Sequence, residues 1–456
     1  MRNFKCSFRI RRFTSALCSR PICSGKRMRQ NRSTMNTLFN QYSYIYVIEF
    51  SLWIALSATH WLPSPQRDHW VFLLIPAIIL STYDFVHKDR SETLHYQNRL
   101  AFSSIALLLL YALSIYTAPF TTRGWILLYR PAIGLWMVLR FPYWWQERAA
   151  RTCVNWVIAG TALLVFIMGF TAIQWTGKAA VFASITDHFP RWQDFAAWPG
   201  GFNPNEWAGA AAWIAPALFA LIRYRVVTGW RAAGTTILFA ALTALLFLSQ
   251  SLSGIAGASI GVMFALVPLS RLRWAMAAGG ALLLIGNLAV LLAPTQSADV
   301  LAAVSGRPSV HSLEHRAVMW ERANHMLADH PWTGVGIALY RSLRAEYPTP
   351  GYEHVLLPHP HNEALQFATD LGIPGLIVFG WIVLSVGLTA RRVMTTGSRR
   401  HGAMAAALCA GLLSHAVFGL TDAIPIWDRF AILGWGMLAL LAAVERAATA
   451  HGSSPD

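Results

Sequence analysis

Residues 356–377 read LLPHPHNEALQFATDLGIPGLI and gather two imidazoles, two amides and two carboxylates in one short stretch. His359 and His361 alternate with Pro358 and Pro360. Asn is a favoured N-cap and proline cannot extend a helix backwards, so a helix is expected to begin at Asn362 with His361 just outside it. The positive end of a helix disfavours an imidazolium, which suits a histidine placed there to accept a proton. Glu363, Gln366 and Asp370 follow at i, i+3 and i+7 as one polar face, before Gly372 and Pro374, which are expected to kink the helix into an apolar run. A polar face at the mouth of a membrane helix is expected to look at water or at substrate. A lone outer-loop histidine can equally cap or pack locally; here His359, Asn362 and Glu363 converge with His361 on one helix end, which favours general-base chemistry.

Three further groups complete the inventory. Arg316 lies in SLEHRAVMWERANHMLAD (312–329), where helical periodicity puts it on one face with Trp320 at i+4; its planar fork suits phosphate, although an exposed helix also carries arginine for solubility alone. Arg341 and Arg344 follow and would add more weakly to an anion-binding field. Arg130, within TTRGWILLYRPAIGLWMVLR, is a charge inside an apolar span; it costs about 2.5–3.5 kcal/mol there and is expected to face a cavity or a partner, or else to snorkel to the interface. Asp422 and Asp428, in GLTDAIPIWDRF, flank a turn and are read as arginine partners of structural character. No motif for nucleotide phosphates, zinc, haem or a serine nucleophile is present, so no cofactor and no metal are expected.

The elements that must position these residues are membrane helices. Of 456 residues, 55% are hydrophobic and 13% charged, against roughly a quarter charged in soluble domains. Crossing a bilayer takes about 20 apolar residues, and twelve spans are expected, at 44–62, 70–86, 100–118, 124–141, 153–175, 206–223, 233–250, 253–270, 274–293, 363–390, 403–420 and 426–444. The net charge of +16 excludes little, because ten Lys and Arg fall within residues 1–33, which hold no acid; nucleic acid is not expected as a partner. That tail reads either as a cytoplasmic basic extension near anionic lipid or as residues ahead of a later start at Met28 or Met35. Its Cys6, Cys18 and Cys23, with Cys153 and Cys409, show no disulfide or metal spacing.

With the tail inside, the inner connections 87–99, 142–152, 224–232, 271–273 and 391–402 are all basic, as short cytoplasmic loops should be. The expected organisation is a 1–43 basic cytoplasmic extension, 44–293 spans one to nine, a 294–362 extracytoplasmic loop, 363–444 spans ten to twelve, and a 445–456 cytoplasmic tail. The large loop is expected to lay a helix over 312–329, with Val318, Met319, Met326 and Leu327 on its apolar side, and a second short helix after Gly334 and Gly336 across the outer mouth of an all-α bundle. The loop 176–205 (Phe189, Trp192, Phe195, Trp198) is expected at the interface.

These residues resemble the O-antigen ligase and O-antigen polymerase superfamily, membrane enzymes that move glycans from a polyprenyl diphosphate carrier. The resemblance rests on His361 and Asn362 with Leu365, on Gly372 and Gly375, on Arg316 with Trp320, on PWTGVG (331–336) and on the one large outer loop, and it covers roughly residues 200–380. An arginine frequent in the family's turn between the seventh and eighth spans is absent from SQSLSG, where Leu252 stands; Arg130 is the candidate replacement. The resemblance implies His361 as catalytic base, Arg316 and Arg130 on the diphosphate, and His359, Asn362, Trp320 and Glu363 around base or sugar. It implies as partners a polyprenyl-diphosphate-linked glycan donor, a glycan, lipid or protein acceptor, and membrane lipid, in the inner membrane with the site on its extracytoplasmic face. A chain polymerase of the same superfamily, a polytopic transporter or flippase for a phosphorylated lipid or sugar, and a membrane scaffold are the competing readings.

Overall fold

The computed structural model describes residues 99–118, 121–144, 147–171, 184–188, 202–304, 311–343, 345–348 and 358–452, with Leu52 and Pro76. Trp53–Asp456 forms one compact unit, and the description below concerns that unit. The helices are α1 (Arg99–Thr117), α2 (Thr121–Trp144), α3 (Glu147–Thr171), α4 (Pro204–Arg223), α5 (Gly229–Leu248), α6 (Leu252–Leu266), α7 (Leu272–Leu292), α8 (Pro294–Val304), α9 (His311–Asp329), α10 (Glu363–Thr396), α11 (Arg399–Phe418) and α12 (Ala431–Gly452). No strand occurs among the described residues. Among the described residues six helices, α1, α5, α7, α10, α11 and α12, are long and apolar enough to cross a membrane. The expected spans from 100–118 onward each fall on a helix, whereas 44–62 and 70–86 apart from Leu52 and Pro76, the basic N-terminal tail, the 189–198 aromatics and Arg344 lie outside the described residues.

The centre is α4, α6 and α11 in mutual contact. Their sequences are dominated by Ala and Gly, and small residues let helix backbones approach where no water is present to drive them together. A Cβ added at Gly257 would stand 2.4 Å from the Ser414 carbonyl oxygen, and one at Gly261 2.7 Å from that of Ala410, so α6 lies directly on the α11 backbone. Local chemistry starts the helices: the Asn203 side chain accepts from Asn205 N–H with Pro204 in the first turn of α4, Ser251 accepts from Gly254 N–H at α6, and Ser398 accepts from His401 N–H at α11. Leu282, Leu284, Ile285 and Leu292 of α7 and Ile377 and Leu384 of α10 are exposed, an apolar surface suited to lipid.

α10 breaks where its sequence said it would. Gly372 has φ +71° and ψ −162°, and Pro374 follows. A break strands backbone groups, and inside a membrane protein another segment must satisfy them. The PWTGVG turn does so: Ile373 N–H donates to the Pro331 carbonyl (2.7 Å) and Val335 N–H donates to the Thr369 carbonyl (2.8 Å). Both sides of the contact need glycine, since a Cβ at Gly372 would lie 2.5 Å from the Pro331 oxygen and one at Gly334 (φ +65°) 2.5 Å from the Leu371 nitrogen.

The segment between α7 and α10 corrects two expectations. α9 forms as the periodicity predicts, but its buried face is Ala317, Trp320, Ala323 and Met326, with Met319 also buried and Val318 and Leu327 only half-buried. Among the described residues no second short helix follows Gly336. Residues 337–343 are turns, with Ala338 at φ +57°, held by Arg322 Nη2 donating to the Tyr340 carbonyl (2.6 Å) and Tyr340 Oη–H donating to the Met319 carbonyl (3.0 Å). The partner of α9 is instead α8.

Candidate functional site

The site is built at the corner where residues 358–362 enter α10. Asn362 caps the helix, its side-chain oxygen accepting from Leu365 N–H at 2.8 Å. Its Nδ2 donates to the Leu420 carbonyl (3.0 Å) and reaches Asn287 Oδ1 of α7 (3.3 Å). The residue is fully buried, so Asn362 ties three elements together at the point where His361 leaves the helix. His361 itself has φ +52°, a conformation costly for a residue other than glycine and one that concentrates at functional positions.

That backbone turn aims the imidazole at the turn after α11. His361 Nδ1 lies 2.8 Å from Asp422 Oδ1. A carboxylate only accepts, so Nδ1 carries the hydrogen of this bond and Nε2 is the nitrogen left for other chemistry. Asp422 Oδ1 also accepts from the Ala423 amide (2.9 Å). On its other flank Arg316 Nη2 stands 3.9 Å from Asp422 Oδ2. Beyond hydrogen-bond reach, Arg316 donates no hydrogen bond among the described residues and keeps its fork available. Exposure sorts the roles: 3% of the Asp422 side chain reaches solvent, against 19% for His361 and 14% for Arg316. The carboxylate therefore orients, and the imidazole and guanidinium face outward.

Electrostatics agrees. Burial pushes the Asp422 carboxyl up, but His361, Arg316 and His359 together outweigh it and hold the group well below the usual carboxylate range. Burial lowers the Arg316 guanidinium, with Asp422 opposing. His359 is buried; burial, then neighbouring His361, lowers its imidazole to about 3. Its Nδ1 accepts from His361 N–H (3.2 Å), and the two rings lie 4.2 Å apart, so His359 supports the strained backbone of its neighbour. His359, His361 and Asp422 bring ligand atoms within 4.8 Å of one another, close enough for a cation. Their nearest donors and acceptors are already bonded to one another, and the Arg316 charge beside them opposes a second cation.

The remaining sequence candidates sit elsewhere. Trp320 is fully buried in the cluster that fastens α9 to α10 through Leu365, so it packs rather than lining an open surface. Glu363 directs its carboxylate to the Ile424 amide (3.1 Å). Arg130 is buried, with Nη1 donating to the Trp427 carbonyl and Nε to Tyr129 Oη (3.3 Å); it holds the same connection between α11 and α12 that carries Asp422, from another helix. Arg341 is exposed. The polar face expected to look at water is turned into protein: Asp370 accepts from Ala338 N–H (3.3 Å) and Trp427 Nε1–H (3.0 Å), and its carbonyl accepts from Ser114 Oγ–H (2.7 Å). Asp422 is the residue that sequence reasoning undervalued. An alternation of spans that places 421–430 at the same end of the bundle as His361 was the available signal.

No curated protein matches the chain. The family described as O-Antigen ligase (Wzy_C) matches residues 236–380, a stretch that begins in α5, takes in Arg316, the PWTGVG turn and the His361–Asn362 corner, and ends within α10, short of Asp422. Over that stretch the chain is similar to the O-antigen ligase family, a likeness that together with the apolar helices points to a multi-pass membrane protein.

Proposed function

We propose that the protein transfers a glycan from a polyprenyl-diphosphate carrier to an acceptor hydroxyl at the extracytoplasmic face of the inner membrane, as a ligase to a lipid, protein or glycan acceptor. The observation that supports it most is the Asp422–His361 bond with the unspent Arg316 fork beside it. In this reading His361 Nε2 takes the proton of the acceptor hydroxyl as its oxygen bonds to the anomeric carbon. The bond from that carbon to the diphosphate oxygen breaks, and the polyprenyl diphosphate departs with the electron pair. Asp422 stabilises the imidazolium so formed, and Arg316 the charge growing on the leaving group. Displacement in one step inverts the anomeric centre. A diphosphate is already a good leaving group, so neither nucleotide nor metal is required. Arg130 acts from the Trp427 side of the same turn, and in the expected twelve-span topology with both ends cytoplasmic His361 lies outside.

The polymerase reading uses the same site with a carrier-linked glycan as acceptor. Purified protein incubated with a lipid-linked oligosaccharide, in separate reactions with a lipid acceptor, a peptide acceptor or a second carrier-linked chain, tests both. Product bearing inverted linkage supports the proposal; no product with any acceptor from protein that binds the donor rejects it.

A further inference from the structure

At the far end of α10 from His361, a cavity of about 220 Å3 opens between the ends of α7 and α10. It is lined by Leu269, Ser270, Arg273, Arg391, Met394 and Thr395. No acidic side chain lines it, and neither arginine forms an ion pair among the described residues, whereas the adjacent Arg392 is paired with Glu445 Oε1 at 3.5 Å. Two guanidinium groups bordering one small space repel each other, a repulsion that an anion between them cancels. The Ser270 hydroxyl makes no hydrogen bond among the described residues, while Thr395 Oγ1 is bonded to the Arg391 and Arg392 carbonyls.

Size selects the class of anion. Sites for drug-sized ligands run to about 300–1,000 Å3, so a space of about 220 Å3 holds a phosphate and not an oligosaccharide. Position selects its source. The cavity sits at the ends of membrane-spanning helices, with Leu266 51% and Trp274 68% exposed beside it, an apolar flank with the interfacial aromatic that marks headgroup level. Arg273 stacks over the Trp274 ring at 5.4 Å, which holds the guanidinium at that level. We propose that this cavity binds the phosphate of an anionic membrane lipid headgroup, with the acyl chains lying along Leu266 and Trp274. The positive-inside distribution puts basic residues near this end in any case; a bound lipid requires these two arginines in particular.

Native mass spectrometry of the full chain in detergent, with phosphatidylglycerol, phosphatidylcholine or inorganic phosphate added in separate arms, reads the difference. Phosphatidylglycerol is expected to stay bound to wild type and to lose about fivefold in affinity for each arginine removed in Arg273→Ala and Arg391→Ala. Arg271→Ala, one turn residue away from the cavity lining, is expected to match wild type. Equal loss in Arg271→Ala would mean diffuse attraction and overturn the site. So would phosphatidylcholine binding as tightly, or inorganic phosphate displacing phosphatidylglycerol at equal concentration, which would identify a soluble anion as the ligand. Should either alanine variant fail to purify, Arg391→Lys serves: it keeps the charge but not the fork, and an affinity unchanged from wild type together with an unchanged Arg273→Lys rejects guanidinium recognition.

Discussion

Asp422 and His361 are 61 residues apart in the chain and 2.8 Å apart in space. The bond joins the turn after α11 to the residue before the cap of α10, and the Asn362 bridge to the Leu420 carbonyl, two residues before Asp422, ties the same two segments. Orientation of the imidazole thus comes from outside the segment that the family match covers.

Asp422→Asn removes the fixed acceptor for the Nδ1 hydrogen and allows the wrong tautomer. A fall in kcat on the order of 10²–10⁴ is expected with little change in KM for the lipid-linked donor. Steady-state transfer by protein of unchanged melting temperature checks it, and a rate that tracks only the amount of folded protein would reduce Asp422 to a structural role.

His361→Asn tests the base separately from the backbone. Asparagine tolerates the left-handed conformation and can still donate to Asp422, so membrane levels and melting are expected to hold while transfer disappears. His361→Ala is expected to lose transfer as well; full activity in either variant would reject the assignment.

Arg316→Ala is expected to weaken donor use far more than Arg316→Lys, because lysine keeps the charge next to Asp422 while losing the fork. KM for the lipid-linked donor, measured against acceptor KM, separates diphosphate contact from a general loss of folding. Equal effects of the two changes would argue against such contact.

Acid should destabilise the fold in a defined window. His359 is depressed in the fold from 6.5 to about 3, and Asp422 is held below its ordinary 3.8. Both groups bind fewer protons folded than unfolded, so stability is fully present above about pH 6.5 and falls as pH drops from there towards 3, then further as Asp422 protonates. Melting temperature of purified wild type and His359→Asn across pH 4–8 checks this, with the slope flattened in the variant.

The contact between the two loops of backbone at Gly334 and Gly372 makes Gly372→Ala costly, by about 2–4 kcal/mol from left-handed strain plus overlap with the Pro331 carbonyl. Gly380→Ala, on the same helix with nothing within 4 Å of the added carbon, is the neutral comparison. Thermal melting of the two variants side by side decides it.

Hydropathy and capping chemistry made the helices, the Asn362 start and the Gly372 break readable, because each depends on residues within a few positions of one another. Partners far apart in sequence were not readable. The polar face of Glu363, Gln366 and Asp370 looked like a wet surface until Ala338, Ile424 and Trp427 proved to be what Asp370 and Glu363 bind. The segment after Gly336 has helical composition, but docking to α10 forces positive φ at Gly334, Gly336 and Ala338, and tertiary contact overrides local preference. Trp320 shared a helix face with Arg316, yet only packing against Leu365 told that one side chain is core and the other reaches the surface.

The hydrogen bonds that Pro331 and Val335 exchange with α10 make the settling of that helix depend on a segment earlier in the chain. A hydrophobic segment ordinarily carries all of its own backbone pairing, but this one has gaps that the 331–335 turn fills. A lesion in that turn is therefore expected to register as a defect in the assembly of the helix itself.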